Sequence, residues 1–278
     1  MAPKGKGKSK TKKHHILLIL LLIAGVVFFL HKEASKESAR KDLSAIFKTE
    51  PEPKLKPKPS ALPRVAVVID DLSTNRKKAE EILKISPALT LSVLPQETYT
   101  KWVAEEGYKL GHDIIGHIPM EAKEPHKLGR GGLYTWMSDD EILKTLQEDI
   151  NSIPHIKGVS NHMGSAFTED ERAMKALLSG IKKYNLFFLD SITTAKSAGA
   201  KTAGLQGIKL FKRDVFLDEK DTPEDIKAQW DKAVKIAKEK GYAVVLAHPR
   251  KNTIEFLKNV IRDNKEVMIV PLSEAAKP

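Results

Sequence analysis

Short apolar runs alternate with longer amphipathic segments along the chain from Arg64 onward. These runs predict strands, because β-branched residues dominate them and turn-forming residues bound them. The predicted strands cover residues 64–69, 89–94, 113–118, 158–161, 186–189, 208–212, 243–247 and 267–270. Strand–helix alternation over roughly 210 residues predicts an α/β domain with a mainly parallel sheet wrapped by helices. The number of elements favours a barrel of seven or eight strands, and an open sheet is the alternative.

The intervening segments carry recognisable helix starts. Residues 138–141 (SDDE) and 168–171 (TEDE) have the capping-box pattern, in which a hydroxyl and an acid three residues later cap each other's backbone. Thr222 precedes Pro223 and two acidic residues, which is the order expected of a cap, a first helical proline and a favourable helix dipole. We therefore expect helices to begin at these three places.

A different pattern precedes this domain. Residues 1–15 are basic, and residues 16–30 are apolar and uncharged, so we predict a membrane anchor over 16–31. The run is short against the usual span of about 20 residues, but the flanking histidines His14, His15 and His31 can extend it at the interfaces. A cleaved signal peptide is the alternative, and no small-residue cleavage site follows Leu30.

The positive-inside bias orients this anchor, because the lysines before it stay in the cytoplasm. We therefore predict a single-pass protein of the inner (cytoplasmic) membrane whose domain faces the periplasm or extracytoplasmic side. Residues 32–63 form a polar linker with a proline-rich second half, and residues 64–278 form the domain. Prolines at this density favour extended polyproline II, so the linker is predicted to be a semi-rigid tether.

Charge removes one class of function. The net charge of +11 suggests an anionic partner, but of 47 basic and 36 acidic residues, 15 and 5 lie at or before Arg64. The remaining 32 and 31 leave the domain almost neutral, so nucleic-acid binding is not expected. The chain also has no cysteine, which excludes disulfides, thiolate nucleophiles and cysteine-based zinc sites.

Candidate chemistry gathers at predicted strand ends. Asp70 and Asp71 follow the first strand, His117 ends the third, and His162 and His248 follow two later ones. The carboxyl ends of parallel strands form the active-site face of such folds. Two adjacent carboxylates repel each other unless a cation or a proton lies between them. Aspartate and histidine are also the ligands and acid–base groups of metal-dependent hydrolases, so we predict a metal site at this face.

The motifs VIDDL, GHIPME, SNHMGS, FFLDS, RDVFLD, LAHP and VPLSE occur in this order between residues 64 and 274. Together they resemble the polysaccharide deacetylases, and specifically the divergent polysaccharide deacetylase family of bacterial envelopes. This resemblance implies a deformed (β/α) barrel and a divalent metal ion, usually zinc.

The resemblance also implies roles for individual residues. Asp70 looks like the general base, Asp71 and His117 like metal ligands, and His248 like the acid that protonates the leaving group. Glu121 occupies the position of a histidine in the wider superfamily's signature, so the third ligand is either Glu121 or His162. We favour His162. The resemblance further suggests supporting residues around this set: Asp190 or Asp218 would orient His248, and Arg213 would orient Asp70. Asn161, which precedes His162, is a further supporting candidate.

These expectations define the predicted function. The chain is predicted to be a metal-dependent carbohydrate deacetylase that releases acetate from an envelope polysaccharide or peptidoglycan. Its expected partners are the acetylated glycan, the cytoplasmic membrane and cell-wall remodelling proteins. Two alternatives stay open: an inactive glycan-binding module that kept the fold, and a scaffold for cell-wall enzymes.

Overall fold

The computed structural model describes residues 28–34 and 62–276. The chain divides into two units, Met1–Pro59 and Ser60–Pro278. In the first unit, residues 28–34 are helical, and the side chains of Phe28, Phe29 and Leu30 are exposed. No helix within the described ranges combines the length and apolarity that a membrane crossing needs. The predicted anchor and tether lie outside the described residues, except at 28–34 and 62–63.

The second unit contains nine strands in the part of the chain that the structure describes. They are β1 (Arg64–Leu72), β2 (Thr90–Val93), β3 (Asp113–Met120), β4 (Ile156–Met163), β5 (Phe187–Asp190), β6 (Leu210–Lys212), β7 (Val215–Phe216), β8 (Tyr242–Ala247) and β9 (Met268–Ile269). Every pairing between them is parallel, and eight strands follow the order β6-β5-β4-β3-β2-β1-β8-β7, with β9 beside β1.

Helices connect the strands and cover the outer face of the sheet. They span Arg76–Leu83, Thr100–Lys109, Asp139–Ser152, Glu171–Lys183, Gly199–Gln206, Pro223–Lys240, Lys251–Asp263 and Leu272–Ala275, with a 3-10 turn at Phe167–Glu169. Val65, Val67 and Ile69 of β1 pack in an apolar cluster with several of these helices. Ala66 and Val68 lie in a separate interior cluster with residues of β5 and β8. The sheet therefore has two buried faces, as parallel sheets generally do.

The sheet is curled, and the connection between β6 and β7 shows why. These strands are the two edges of the eight-strand order, yet only Arg213 and Asp214 separate them in sequence. A flat sheet with strands about 4.8 Å apart would place its edges about 34 Å from each other. Three Cα–Cα steps of about 3.8 Å reach about 11 Å. The eight strands must therefore roll into a barrel-like sheet, which confirms the predicted α/β barrel class.

Two of the predicted helix starts are confirmed, and one is wrong. Ser138 forms the capping box with Glu141, and the Thr222 hydroxyl accepts a hydrogen bond from the backbone N–H of Asp225. The helix predicted to begin near Thr168 instead begins at Glu171, with Asp170 as its cap. The Thr168 hydroxyl donates to the carbonyl of Gly164 instead, because residues 167–169 form a 3-10 turn.

The C-terminal segment packs against the amino ends of the strands. The backbone N–H of Leu272 donates to Thr90 Oγ1 at 2.9 Å, and that of Ser273 donates to Asp113 Oδ2 at 2.9 Å. Thr90 and Asp113 are the first residues of β2 and β3, and the Leu272 side chain is fully buried in the interior cluster. This packing fills the interior of the sheet at the amino ends of the strands. The polar candidate residues lie at the opposite, carboxyl ends.

Candidate metal centre

Two successive aspartates reach the same place because β1 is irregular at its carboxyl end. In a regular strand neighbouring side chains point to opposite faces, so Asp70 would face the interior and Asp71 the outside. The pairing of β1 with β2 shifts register between Ile69 and Leu72, and Asp71 has a left-handed φ of 58°. Such bulges re-aim side chains. Here, both carboxylates approach His117.

Three potential ligand atoms meet beside this bulge. Asp71 Oδ1 lies 3.3 Å from His117 Nε2 and 3.0 Å from His162 Nδ1, and the two ring nitrogens are 3.2 Å apart. A tetrahedral ion with bonds of about 2.0–2.2 Å holds its ligand atoms about 3.4 Å apart. Asp71 Oδ1 is also buried without a hydrogen-bond partner among the described residues. The chemistry and spacing of this donor set fit a divalent cation.

The ring of His117 is oriented by residues deeper in the barrel. Its Nδ1 hydrogen-bonds with Ser160 Oγ at 2.8 Å, and Ser160 Oγ shares a second hydrogen bond of 3.0 Å with Ser92 Oγ. Asp70 Oδ1 lies 3.5 Å from the same Nδ1. Because Nδ1 is engaged on this side, Nε2 is the nitrogen that faces Asp71. Outer partners of this kind fix the orientation and tautomer of a histidine ligand.

The two neighbouring aspartates have opposite electrostatic character. Burial raises the pKa of Asp70 and outweighs the lowering effect of His117. Burial acts on Asp71 in the same direction, but the nearby rings of His117 and His162 outweigh it and lower its pKa. Environments that push two carboxyl pKa values apart give the two groups different roles. Asp71 is suited to remain an anion, and Asp70 is suited to take up a proton.

His248 faces the same site from the end of β8. Its Nε2 lies 3.9 Å from Asp71 Oδ2, and its Nδ1 is 2.9 Å from Asp218 Oδ1. Asp218 Oδ2 also accepts hydrogen bonds from the His248 backbone N–H and the Thr253 hydroxyl. Burial lowers the pKa of His248, but the hydrogen bond and charge of Asp218 outweigh it, and the pKa is raised. Asp218 therefore favours the protonated form of the His248 ring and holds its Nε2 toward the site.

Glu121 is engaged away from the three ligand atoms. Its Oε2 accepts hydrogen bonds from the backbone N–H of Thr135 at 2.7 Å and from the Thr135 hydroxyl at 2.6 Å. Among the described residues, the group that can hold a metal consists of Asp71, His117 and His162. The geometry therefore places His162, rather than Glu121, beside the other two.

The remaining supporting candidates tie together the loop after β5. Asn161 Oδ1 accepts from the backbone N–H of Ser191, and Arg213 Nε donates to the carbonyl of Ser191 at 2.7 Å. Asp190 Oδ2 accepts from the Ser197 hydroxyl at 2.6 Å. The structure thus brings Asp218 to His248, whereas Asp190, Asn161 and Arg213 build the surrounding loop.

Strand parity explains this separation. Phe187 and Leu189 lie in the interior cluster, so Asp190 leaves the interior by the alternation of a strand. The same alternation places Ser160 and His162 on one side of β4 and Asn161 on the other. Sequence reasoning missed Ser92 and Ser160, which are fully buried. Both serines face the interior, so counting every second residue along β2 and β4 would have identified them.

A cleft of about 360 Å³ gives access to the site beside Asp71 and His248. Asn75, Lys78 and Arg250 also line it. The cleft therefore has polar and basic walls next to the predicted proton donor.

Comparison with known proteins agrees with this architecture. The family description "Divergent polysaccharide deacetylase" matches residues 67–276 of the chain. The chain belongs to the divergent polysaccharide deacetylase family. All the site residues described above lie within the part of the chain that carries this divergent polysaccharide deacetylase match.

Two bacterial proteins are similar to this divergent polysaccharide deacetylase domain. Uncharacterized protein YibQ of Escherichia coli strain K12 is 30% identical over 198 residues, which are 71% of this chain and 62% of YibQ. The chain thus spans less than two thirds of the length of YibQ. An uncharacterized protein of Haemophilus influenzae strain Rd is 32% identical over 203 residues, 73% of this chain and 72% of that protein.

A solved structure shares the fold of this domain. The crystal structure of uncharacterized protein ATU2773 from Agrobacterium tumefaciens C58 superposes with a TM-score of 0.74 at 23% sequence identity. The match covers 78% of this chain and 90% of that one.

Proposed function

We propose that this protein is a metal-dependent carbohydrate deacetylase that removes acetyl groups from a glycan of the cell envelope. One observation carries the proposal: the ligand atoms of Asp71, His117 and His162 lie 3.0–3.3 Å apart, beside Asp70 and His248. Membership of the divergent polysaccharide deacetylase family supports the choice of reaction.

The ligand set favours a particular metal. Two imidazole nitrogens and one carboxylate oxygen are ligands that zinc accepts, and three protein ligands leave a position open as catalytic zinc sites do. A divalent ion held here would supply Lewis-acid activation of an acetyl carbonyl and of water. Asp71, as an anion, offsets part of the charge of that ion.

Asp70 serves as the general base in this proposal. Its carboxylate accepts one proton from the attacking water while the water oxygen forms a bond to the acetyl carbon. Burial and the raised pKa make this carboxylate more basic than an exposed aspartate.

His248 serves as the general acid. Its Nδ1 is anchored on Asp218, so Nε2 carries the proton that the departing amine or hydroxyl receives. The bond between the acetyl carbon and that nitrogen or oxygen breaks, and acetate and the deacetylated sugar result. An amide substrate needs this proton more than an ester does, because an unprotonated amine leaves poorly.

Metal content and acetate release test the proposal separately. We expect the full chain to bind about one divalent ion, and Asp71→Ala and His117→Ala to abolish binding. His126→Ala, which removes an exposed histidine, should keep it and is the matched control. Asp70→Asn should keep the metal and slow acetate release by about 10²- to 10⁴-fold.

Two results would overturn the proposal. A wild-type chain that binds no divalent ion under zinc, cobalt or nickel supplementation removes its physical basis. A metal-loaded wild type that releases no acetate from acetylated chitooligosaccharides, peptidoglycan or O-acetylated glycans excludes catalysis. Glycan binding without acetate release would then identify an inactive glycan-binding module that kept the fold.

A further inference from the structure

The loop after β3 returns to the carboxyl end of its own strand. Leu133 forms a parallel bridge with Met120. Its backbone N–H donates to the carbonyl of Pro119, and its carbonyl accepts from the backbone N–H of Glu121, both at 2.9 Å. This segment lies beside β3 where β2 has already ended, because the last residue of β2 pairs with Gly116. Residues 134–136 therefore continue beyond the carboxyl ends of the strands, on the face that carries the metal-ligand group.

Two aromatic rings occupy this position. Trp136 is 70% exposed, and its ring stacks on that of Tyr134 with centroids 5.4 Å apart and an interplanar angle of 23°. Tyr134 is half-buried. A large aromatic side chain exposed on a partly buried one gives a flat apolar surface, and exposed apolar surface of this kind commonly marks a binding site. We call this pair the aromatic platform.

The residue between the two rings is tightly held. Thr135 donates two hydrogen bonds to the Glu121 carboxylate, from its backbone N–H and from its hydroxyl. The Thr135 carbonyl accepts a hydrogen bond from Arg172, which also pairs with Asp139 at 2.7 Å. Four residues from three parts of the chain therefore fix the platform's backbone. A surface ordered in advance loses less entropy when a ligand binds.

We propose that the aromatic platform is a glycan subsite on which a pyranose ring stacks. The carbon-bound hydrogens of a pyranose form an apolar face that matches a flat aromatic surface, and its hydroxyl edge stays in water. Tryptophan and tyrosine supply a large apolar area with a defined geometry for such contacts. The choice of a carbohydrate as ligand rests on the proposed function.

The position of the platform determines which sugar it binds. Glu121 lies four positions after His117, which is about 13 Å along the strand direction at about 3.3 Å per residue. Thr135 is hydrogen-bonded to Glu121, which lies further along the strand direction than His117 and than Pro119, the residue that pairs with His162. The sugar on the platform is therefore a different unit from the one whose acetyl group reacts. The substrate class that follows is an oligomeric glycan rather than a single sugar.

Binding of the full chain to N-acetylated chitooligosaccharides tests this inference. We expect the wild type to bind the pentamer more tightly than the monomer. Trp136→Ala should weaken pentamer binding about 5- to 10-fold, in line with one aromatic stacking contact, and leave the metal content and monomer binding unchanged. The matched control is Tyr184→Ala, which removes an exposed aromatic before β5, at the amino ends of the strands. It should change neither affinity.

The hydrogen bonds between Glu121 and Thr135 suggest a second pair of variants. Glu121→Ala removes the acceptor for Thr135, so pentamer binding should weaken as in Trp136→Ala while metal content stays constant. Glu121→Gln keeps an oxygen acceptor and should bind the pentamer nearly as the wild type does. This contrast separates a positioning role for Glu121 from a role as metal ligand.

The outcomes distinguish this inference from the proposed function. If Trp136→Ala binds the pentamer as tightly as the wild type, the platform is overturned even where acetate is released. A wild type that binds monomer and pentamer equally also overturns it. If the wild type releases no acetate but Trp136→Ala still loses pentamer affinity, the platform stands and the deacetylase proposal fails.

Discussion

At the scale of single residues, neighbours in the chain acquire different chemistry from their surroundings. Asp70 and Asp71 are adjacent carboxylates, yet the pKa of the first is raised by burial and that of the second is lowered by two imidazole rings. The bulge in β1 creates this difference, because it presents Asp71 to His117 and His162 and leaves Asp70 deeper in the barrel. Side-chain identity alone therefore does not assign the base and the ligand.

Asp149 shows the same principle outside the site. It is fully buried in the helix Asp139–Ser152, where Gln96 Nε2 donates to its Oδ1 at 2.8 Å. Its Oδ2 lacks a hydrogen-bond partner within the described ranges. Burial raises the pKa of Asp149 to about 8, so the folded state keeps a proton that the unfolded state loses near pH 4.

The contribution of Asp149 to stability should therefore fall as the pH rises from about 4 to about 8, because at this group the folded state binds more protons than the unfolded state in this window. Asp149→Asn removes this dependence. We expect the free energy of unfolding of the variant, relative to wild type, to rise by on the order of a few kcal/mol between pH 5 and pH 9. Urea denaturation at both values measures it. Glu148→Gln removes an exposed neighbouring charge and should leave most of the slope. Parallel curves for Asp149→Asn and wild type would contradict the prediction.

At the scale of elements, the length of each strand and the alternation of its side chains decide where its site residue lies. β4 extends over Ile156–Met163, further than the predicted 158–161, so His162 lies within the strand rather than after it. The short β7 was not predicted, because two residues between polar neighbours give no periodic signal. At the opposite end of the sheet, the C-terminal helix Leu272–Ala275 packs its apolar side chains into the interior.

The C-terminal helix should matter for stability and not for the metal site. Leu272→Ala leaves a cavity among fully buried residues, and such changes cost about 2–5 kcal/mol of unfolding free energy. Metal content at native conditions should stay unchanged, because the ligands lie at the other end of the strands. Met268→Ala, at a side chain that is 44% exposed, should cost about 0.5 kcal/mol. Chemical denaturation compares the two variants, and equal losses would refute the packing argument.

At the scale of the whole molecule, charge and hydropathy are unevenly distributed. The first 64 residues carry nearly all of the net positive charge, together with the apolar run and the prolines. We propose that this segment holds the domain outside the cytoplasmic membrane, where envelope glycans and cell-wall remodelling proteins are found.

Two fractionation experiments check this topology. Protease added to intact spheroplasts should digest the domain while a cytoplasmic marker protein stays intact. Alkaline carbonate should leave the protein in the membrane pellet, because a spanning helix is not held by surface charge. Protection of the domain would reverse the predicted orientation. Release of a mature form that begins near Ser35 would show that the anchor is cleaved.

The sequence by itself determined the features that depend on near neighbours. Strand periodicity and the caps at Ser138 and Thr222 arise from contacts within a few residues, so the chain alone predicts the parallel α/β domain. The motif order, through its resemblance to a known family, also named Asp71, His117 and His162, which the structure brings together as a group that could hold a metal. Only the tertiary structure decided which third candidate lies beside Asp71 and His117 and which residues orient the side chains of the site, because those contacts join distant segments.

Three of these contacts illustrate the point. The register shift between β1 and β2 aims Asp71 inward, and Asp218 reaches His248 across 30 positions in sequence. Glu121 binds Thr135 and leaves His162 to complete the ligand group. Each depends on how the sheet curls and where its loops return, which is a property of packing between strands that no local sequence pattern encodes.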